Sequence, residues 1–169
     1  MTREELLELM KREDLQLYNQ FIIAPASSKH HGAREQGLLQ HSIAVTKNLS
    51  YWRERHNSEL TPEDCVIVGM LHDLCKADLY IRTKDGYEYR KELAPHHALK
   101  SIDMIEKRLM LKLTTLQRVL ILLHMTGWEN EEDLKALTKD DLEWLKDINH
   151  VLLVQVMNWA DMKATAEDK

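Results

Sequence analysis

Along most of this chain apolar residues recur every three to four positions, the spacing that gathers them on one side of a helix. Thr2-x-x-Glu5 is a capping-box signature, and Leu6, Leu9 and Met10 follow on one face, predicting a first helix from the N-terminus to about residue 19. A second helix is predicted over about 38–55, where His41, Ala44, Val45, Asn48, Leu49 and Trp52 recur at helical spacing, so that His41 faces the core. Thr61-Pro62-Glu63-Asp64 combines a capping threonine, a proline suited to the first helical position and acidic residues in the first turn. It opens a third helix, expected to end after Asp73 at about Lys76. Further helices are predicted from about 95 to 109, from 114 to 125 with Thr114-x-x-Gln117 as cap, over a short stretch near 131–137, and from about 140 to the end with a break near Asn149.

Two stretches break the pattern. Residues 24–37 hold Pro25, Ser27, Ser28, Gly32 and Gly37 and read as loop. Between Ile81 and Tyr89, Asp85-Gly86 sits among β-branched and aromatic residues, which fits either a small hairpin or an irregular flap near 81–89. The expected fold is all-α, a helical bundle forming one domain over 1–169. No repeat, low-complexity tract or domain linker interrupts it.

Length and composition narrow the function classes. A chain of 169 residues can bury roughly 70% of the surface of its unfolded form, so no disulfide staple is required. Cys65 and Cys75, on one predicted helix, would stand about 15 Å apart, too far to bridge, which suits a reducing cytoplasm. The N-terminus is charged and leads into no long apolar stretch, and no apolar run approaches the roughly 18 residues of a spanning helix. A soluble, unsecreted protein is expected. The formal net charge of -5 disfavours general nucleic-acid binding, whose footprint is usually basic.

The chemistry lies in an ordered set of histidines and aspartates: His41, then the adjacent His72-Asp73, then Asp161, with His97 and His124 between. Apolar runs precede several of them: residues 66–71 before His72, 119–123 before His124 and 151–159 before Asp161. Imidazoles and carboxylates carried inward by such runs are costly to bury without partners, and a shared cation satisfies several at once. Leu153, Met157 and Asp161 follow at i, i+4, which places Asp161 on an inward stripe. His72 and Asp73 point about 100° apart on an ideal helix, so their convergence requires a helix end. The alternative is a buried hydrogen-bonded network, and for His124 a core histidine donating to a carbonyl. Imidazole with carboxylate suits Fe, Mn, Zn, Ni or Co, and a ligand set short of six leaves room for water and substrate.

With these residues in view, the chain resembles the HD-domain metal-dependent phosphohydrolases, whose motif of His, His-Asp and Asp corresponds to His41, His72, Asp73 and Asp161. Residues 37–42 (GLLQHS), 71–76 (LHDLCK) and 158–161 (NWAD) look like the family's first, second and last motifs, and the resemblance spans about 30–165. It implies one or two divalent ions, with His97 and His124 where two-metal members supply extra ligands and Met125 where some carry a second histidine. His96 is then a solvated neighbour or a substrate contact. Residues 25–31 (PASSKHH) look like the HD domains of certain bacterial exoribonucleases and some relaxase-associated proteins, which suggests nucleic-acid ends or nucleotides as substrate. The oligonucleotide-binding domain of those exoribonucleases has no counterpart here, so a nucleotide is favoured over a polynucleotide.

The expected activity is cleavage of a phosphomonoester or phosphodiester by metal-activated water. Asp73 would bridge two ions or orient the water, and Lys76, Arg34 and the loop residue His31 would contact the phosphate. Lys76 can equally be a helix-end cation, and His30, His31, Arg34, Arg82 and Arg90 surface residues. Trp128, Trp144 and Trp159 are expected in core or cleft walls, and 129–133 on a solvated acidic face. The competing function is a non-catalytic metal- or nucleotide-binding domain, a sensor or assembly module.

Overall fold

Local capping sets where the helices begin. In the computed structural model, which describes residues 1–27, 34–56, 58–90, 96–125 and 134–167, Thr2 and Thr61 each cap a helix through a complete capping box. Thr114 and Thr138 do the same for two more. The helices are α1 (Arg3–Glu13), α2 (Leu15–Ile23), α3 (Gly37–Arg55), α4 (Pro62–Leu71), α5 (Lys76–Leu79), α6 (His97–Arg108), α7 (Thr115–Leu122), α8 (Lys139–Trp144) and α9 (Ile148–Glu167). A two-stranded antiparallel hairpin, β1 (Tyr80–Thr83) and β2 (Gly86–Tyr89), lies between α5 and α6.

Two helix limits differ from the sequence reading, and a third feature, the break near Asn149, is as expected. The first predicted helix is two, because Asp14 leaves the helical region (φ -148°) and its carboxylate accepts the Leu17 N–H at 2.8 Å, capping α2. Local side-chain bonding of this kind competes with helix continuation. The third helix stops at Leu71 rather than Lys76, and tighter i to i+3 bonds follow, from Leu74 N–H to the Leu71 carbonyl (3.1 Å) and from Lys76 N–H to that of Asp73 (2.9 Å). The last helix is broken over 145–147, just before Asn149.

A continuous hydrophobic cluster that includes Leu6, Phe21, Leu49, Met70, Ile105, Leu120 and Met157 joins α1, α2, α3, α4, α6, α7 and α9. Within it α3 packs along α4 on one side and α9 on another. The approach to α4 is close because Gly69 has no side chain: a Cβ there would sit 2.6 Å from the Thr46 Cα and 2.7 Å from its nitrogen. α4 and α7 are tied together at their first turns. Gln117 Nε2–H donates to Asp64 Oδ1 at 2.8 Å, while Asp64 Oδ2 accepts from the Thr61 hydroxyl at 2.7 Å. These residues are members of the two capping boxes, so one buried network starts both helices.

The hairpin settles the choice left open between hairpin and flap. Its register pairs Tyr80 with Tyr89 and Thr83 with Gly86, whose φ of 136° suits glycine at the turn. A lone hairpin is marginal in water, and this one is moored: the Tyr87 hydroxyl donates to the Ile23 carbonyl at 2.8 Å, and Arg82 pairs with Glu35 at 3.2 Å.

Candidate metal centre

The six histidines and aspartates of the ordered set arrive from five places in the bundle. His41 lies in the first turns of α3, His72 and Asp73 follow α4, His97 opens α6, His124 follows α7, and Asp161 belongs to α9. The tightened turn after Leu71 resolves the angular conflict between adjacent His72 and Asp73, since both now turn to one interior point. His41, His72, Asp73 and His124 are at most 1% exposed.

Two overlapping groups result. The donor atoms of His41, His72 and Asp161 all lie within 4.8 Å of one another, and so do those of His72, Asp73 and His124. His41 Nε2 is 2.9 Å from Asp161 Oδ1, with His72 Nε2 3.8 Å from the same oxygen. The Asp73 carboxylate divides its oxygens. Oδ2 faces His72 (3.4 Å), His41 (4.0 Å) and Lys76 Nζ (2.6 Å), while Oδ1 faces His124 (3.5 Å) and His97 (3.8 Å). Most of these separations exceed an ordinary hydrogen bond. They resemble the spacing of neighbouring ligands around a first-row ion with bonds of about 2.1 Å.

The ring orientations tell the same story. His72 Nδ1–H donates to the Gly69 carbonyl at 3.0 Å and His124 Nδ1–H to the Ile121 carbonyl at 2.7 Å. A carbonyl only accepts, so the proton is on Nδ1 and the Nε2 lone pair of each ring points into the cluster, the arrangement metal-ligating histidines use. His72 Nε2, His124 Nε2, His97 Nε2 and Asp73 Oδ1 are buried and make no hydrogen bond of ordinary geometry among the described residues. Orphaned buried groups on one point are costly. The donor set therefore fits a divalent cation.

Electrostatics favour the protonation states a cation needs at His72, His97, Asp73 and Asp161, and the opposite at His124. Burial lowers His72, and it lowers His97 to about 4, keeping both imidazoles neutral. For His124 burial acts the same way, but the close Asp73 carboxylate, with Asp161 behind it, outweighs burial and raises the ring. Burial pushes Asp73 up, yet Lys76, His72 and His124 hold it well below the usual carboxylate range. Asp161 ends at about 2, burial being overcome by the His41 hydrogen bond and the neighbouring imidazoles.

Other sequence candidates fall around this centre rather than in it. Lys76, on α5 next to the tightened turn, bonds Asp73, and that attraction outweighs its burial to raise its pKa. Arg34 is exposed and donates to Gln40 Oε1 at 2.8 Å, beside the first turn of α3. Arg82 is engaged by Glu35, and Arg90 is exposed. Trp159 is not in the core: it is 38% exposed on the outer side of α9, because the inward stripe there is already filled by Val156, Met157 and Ala160. Trp144 is half-buried and stacks on His150 with ring centroids 4.1 Å apart. His30, His31, Trp128 and the acidic run 129–133, with the start of the short helix expected near 131–137, lie outside the described residues.

Two asparagines that sequence reasoning gave no role turn out to hold the frame. Asn48 Nδ2–H donates to the Ala160 carbonyl at 3.0 Å, clamping α3 to α9 beside Asp161. Asn158 does the same to the His124 carbonyl at 3.0 Å. A polar residue on an otherwise apolar helix face was the available signal, and Asn48 shares the His41 face.

Fold and site together define an all-α protein with a buried histidine-aspartate centre suited to a divalent metal. The sequence profile of the HD domain matches residues 38–164, which takes in all six residues of that centre, and the chain belongs to the HD-domain family. That superfamily consists mostly of metal-dependent phosphohydrolases. No curated protein and no solved structure matches the chain. No helix among the described residues is long and apolar enough to cross a membrane.

Proposed function

We propose that this protein is a phosphohydrolase that cleaves a phosphomonoester or phosphodiester of a nucleotide with two divalent ions, the first held by His41, His72, Asp73 and Asp161 and the second by Asp73, His97 and His124. The division of the Asp73 oxygens carries this reading, since Oδ2 faces His72 and His41 and Oδ1 faces His124 and His97, so this carboxylate would belong to both donor sets. Fe, Mn, Zn, Ni and Co are the candidate metals. A divalent ion supplies Lewis acidity toward a phosphoryl oxygen and makes water nucleophilic near neutral pH.

The chain's own residues do the rest. Neutral imidazoles fixed by their carbonyl contacts keep their lone pairs directed inward without rearrangement. Lys76 holds Asp73 ionised and oriented, and at the edge of the centre its ammonium offsets phosphate charge, a role shared with Arg34 and His31. Basic residues at 29–34 and 76–91 suit an anionic substrate despite the net charge of -5. The two free, buried cysteines suit a reducing cytoplasm, where we place this one-domain protein.

The test is a metal titration joined to a screen of nucleotides and simple phosphate esters. His72→Ala and Asp73→Ala are expected to lose metal and hydrolysis together. Lys76→Ala is expected to keep its metal and lose roughly tenfold to a hundredfold in turnover, in line with one electrostatic contact to a transition state. A metal-loaded wild type that turns over no nucleotide or phosphate ester would leave a binding module. A stoichiometry of one ion per chain would remove the second site.

A further inference from the structure

The donors of the metal centre are held in place by different means. His72 and His124 are aimed by carbonyls one turn back, and the Asn48 clamp on Ala160 keeps α3, with His41, beside α9. His97 rests on something else. It is the first residue of α6, and His96 before it provides no side-chain cap and sits in the left-handed region at φ 61°. The start of α6 thus lacks the threonine box that opens α1, α4, α7 and α8. What keeps His97 near Asp73 has to act from further along the helix.

That point is Ser101. The buried residues of α6 are Ala98, Ser101, Ile102 and Ile105, a single hydroxyl in an apolar stripe. Ser101 follows His97 by one turn on the same side of the helix and is fully buried, where an unpaired hydroxyl is costly. Its partner lies in the turn that carries Asp73: Ser101 Oγ accepts the Cys75 N–H at 3.1 Å. A continued α4 would have given that N–H to the Leu71 carbonyl, but the tightened turn hands this carbonyl to Leu74. The turn that swings Asp73 inward therefore leaves a buried donor over, and the serine of α6 takes it up.

We infer that Ser101 is a positioning residue for the second ion: its bond to Cys75 sets the distance from α6 to the 72–76 turn, and through it that from His97 Nε2 to Asp73 Oδ1, now 3.8 Å. This rests on the two-ion reading above. Its effect falls on one side of the centre. Asp73, His97 and His124 form a set only while α6 stays close, whereas His41 and Asp161 belong to α3 and α9 and His72 is anchored by Gly69. Without the hydroxyl the Cys75 N–H is buried with no acceptor, a cost relieved when α6 and the turn separate and admit water. His97 then leaves Asp73 Oδ1, while Oδ2 is still held by Lys76 at 2.6 Å.

Titration of the metal-free full chain with Mn(II) counts the ions, and electron paramagnetic resonance tells whether they are neighbours, because paired Mn(II) ions couple magnetically and isolated ones do not. Wild type is expected to take up two ions and give the coupled spectrum. Ser101→Ala is expected to bind the first ion within about twofold of wild type and the second roughly tenfold or more weakly, as loss of a supporting hydrogen bond does at metal sites. With two equivalents added it should show isolated Mn(II). Ser101→Thr keeps the acceptor and is expected to restore the second ion; Ser101→Val, of threonine's shape without its hydroxyl, is expected not to. That pair carries the same comparison if the alanine variant does not fold. A second ion held at wild-type strength in Ser101→Ala or Ser101→Val, equal weakening of both ions, or no rescue by threonine would overturn the inference and leave the two-ion reading standing. A wild type that binds one ion would end both.

Discussion

A histidine that gives its Nδ1 proton to the carbonyl three residues earlier has its other nitrogen aimed before any ion arrives, and His72 and His124 both do this. For His72 the accepting carbonyl belongs to Gly69, the residue that also lets α3 and α4 close up. Gly69→Ala therefore strikes twice, forcing a Cβ against the Thr46 backbone and shifting the carbonyl that orients the ring. Overpacking of this kind costs about 1–3 kcal/mol. We expect a lower denaturation midpoint and weaker metal binding in the same variant, read by urea unfolding and a metal titration. Residue identity was the most legible level of the sequence: His41, His72, Asp73, His124 and Asp161 stand out as polar residues in apolar surroundings, while His97 was chosen over His96 on the family resemblance alone. Their supports were less legible, because two are backbone carbonyls and nothing in the spacing of Asn48 or Asn158 names the distant carbonyl that each holds.

At the scale of elements, local chemistry decided what could be foreseen. The capping boxes at Thr2, Thr61 and Thr114 fixed three helix starts, and Asp85-Gly86 marked a turn without choosing between hairpin and flap. Helix ends were harder, since the break at Asp14 and the early stop at Leu71 leave no glycine or proline behind. The network of Asp64, Thr61 and Gln117 also lay beyond sequence, as it joins residues 53 apart. Gln117→Ala would leave Asp64 Oδ1 buried without its donor and remove half of a capping box. A loss of about 1–3 kcal/mol is expected, seen as a lower unfolding midpoint. A Gln117→Glu variant tests the cause: it keeps the cap but sets carboxylate against carboxylate, and should be no more stable than the alanine.

For the molecule as a whole, ion pairing between distant segments gives stability a pH dependence separate from the metal centre. Arg108 at the end of α6 bonds Asp14 between α1 and α2 at 2.7 Å and Asp78 in α5 at 3.0 Å. The Arg108 hydrogen bond holds the Asp14 carboxyl below its ordinary 3.8, outweighing burial. A carboxyl depressed in the fold contributes stability above its unfolded value and loses it as pH falls through the folded one. Arg108→Ala should therefore be less stable than wild type at neutral pH, by about 1 kcal/mol after solvent screening. The gap should close as the pH drops below 3.8, and equal differences at pH 7 and in acid would rule this account out. The all-α class was readable at this scale because periodicity is nearly unbroken, whereas the pairing of helices depended on contacts such as Thr46 with Gly69 that no spacing announces.

The shared start of α4 and α7 makes the pair a double ruler with a common zero. From Asp64 to His72 is eight residues and from Gln117 to His124 is seven, so each helix with the turn that ends it covers nearly the same length. The two rings meet at a centroid distance of 4.9 Å because both lengths are counted off from one mark at the opposite end of the bundle. Tilting or swelling of the surrounding helices moves both tips together and preserves their separation. Adding a single alanine within either length would turn its tip by about 100° and dismantle the pair, whereas adding one to each would advance both in step.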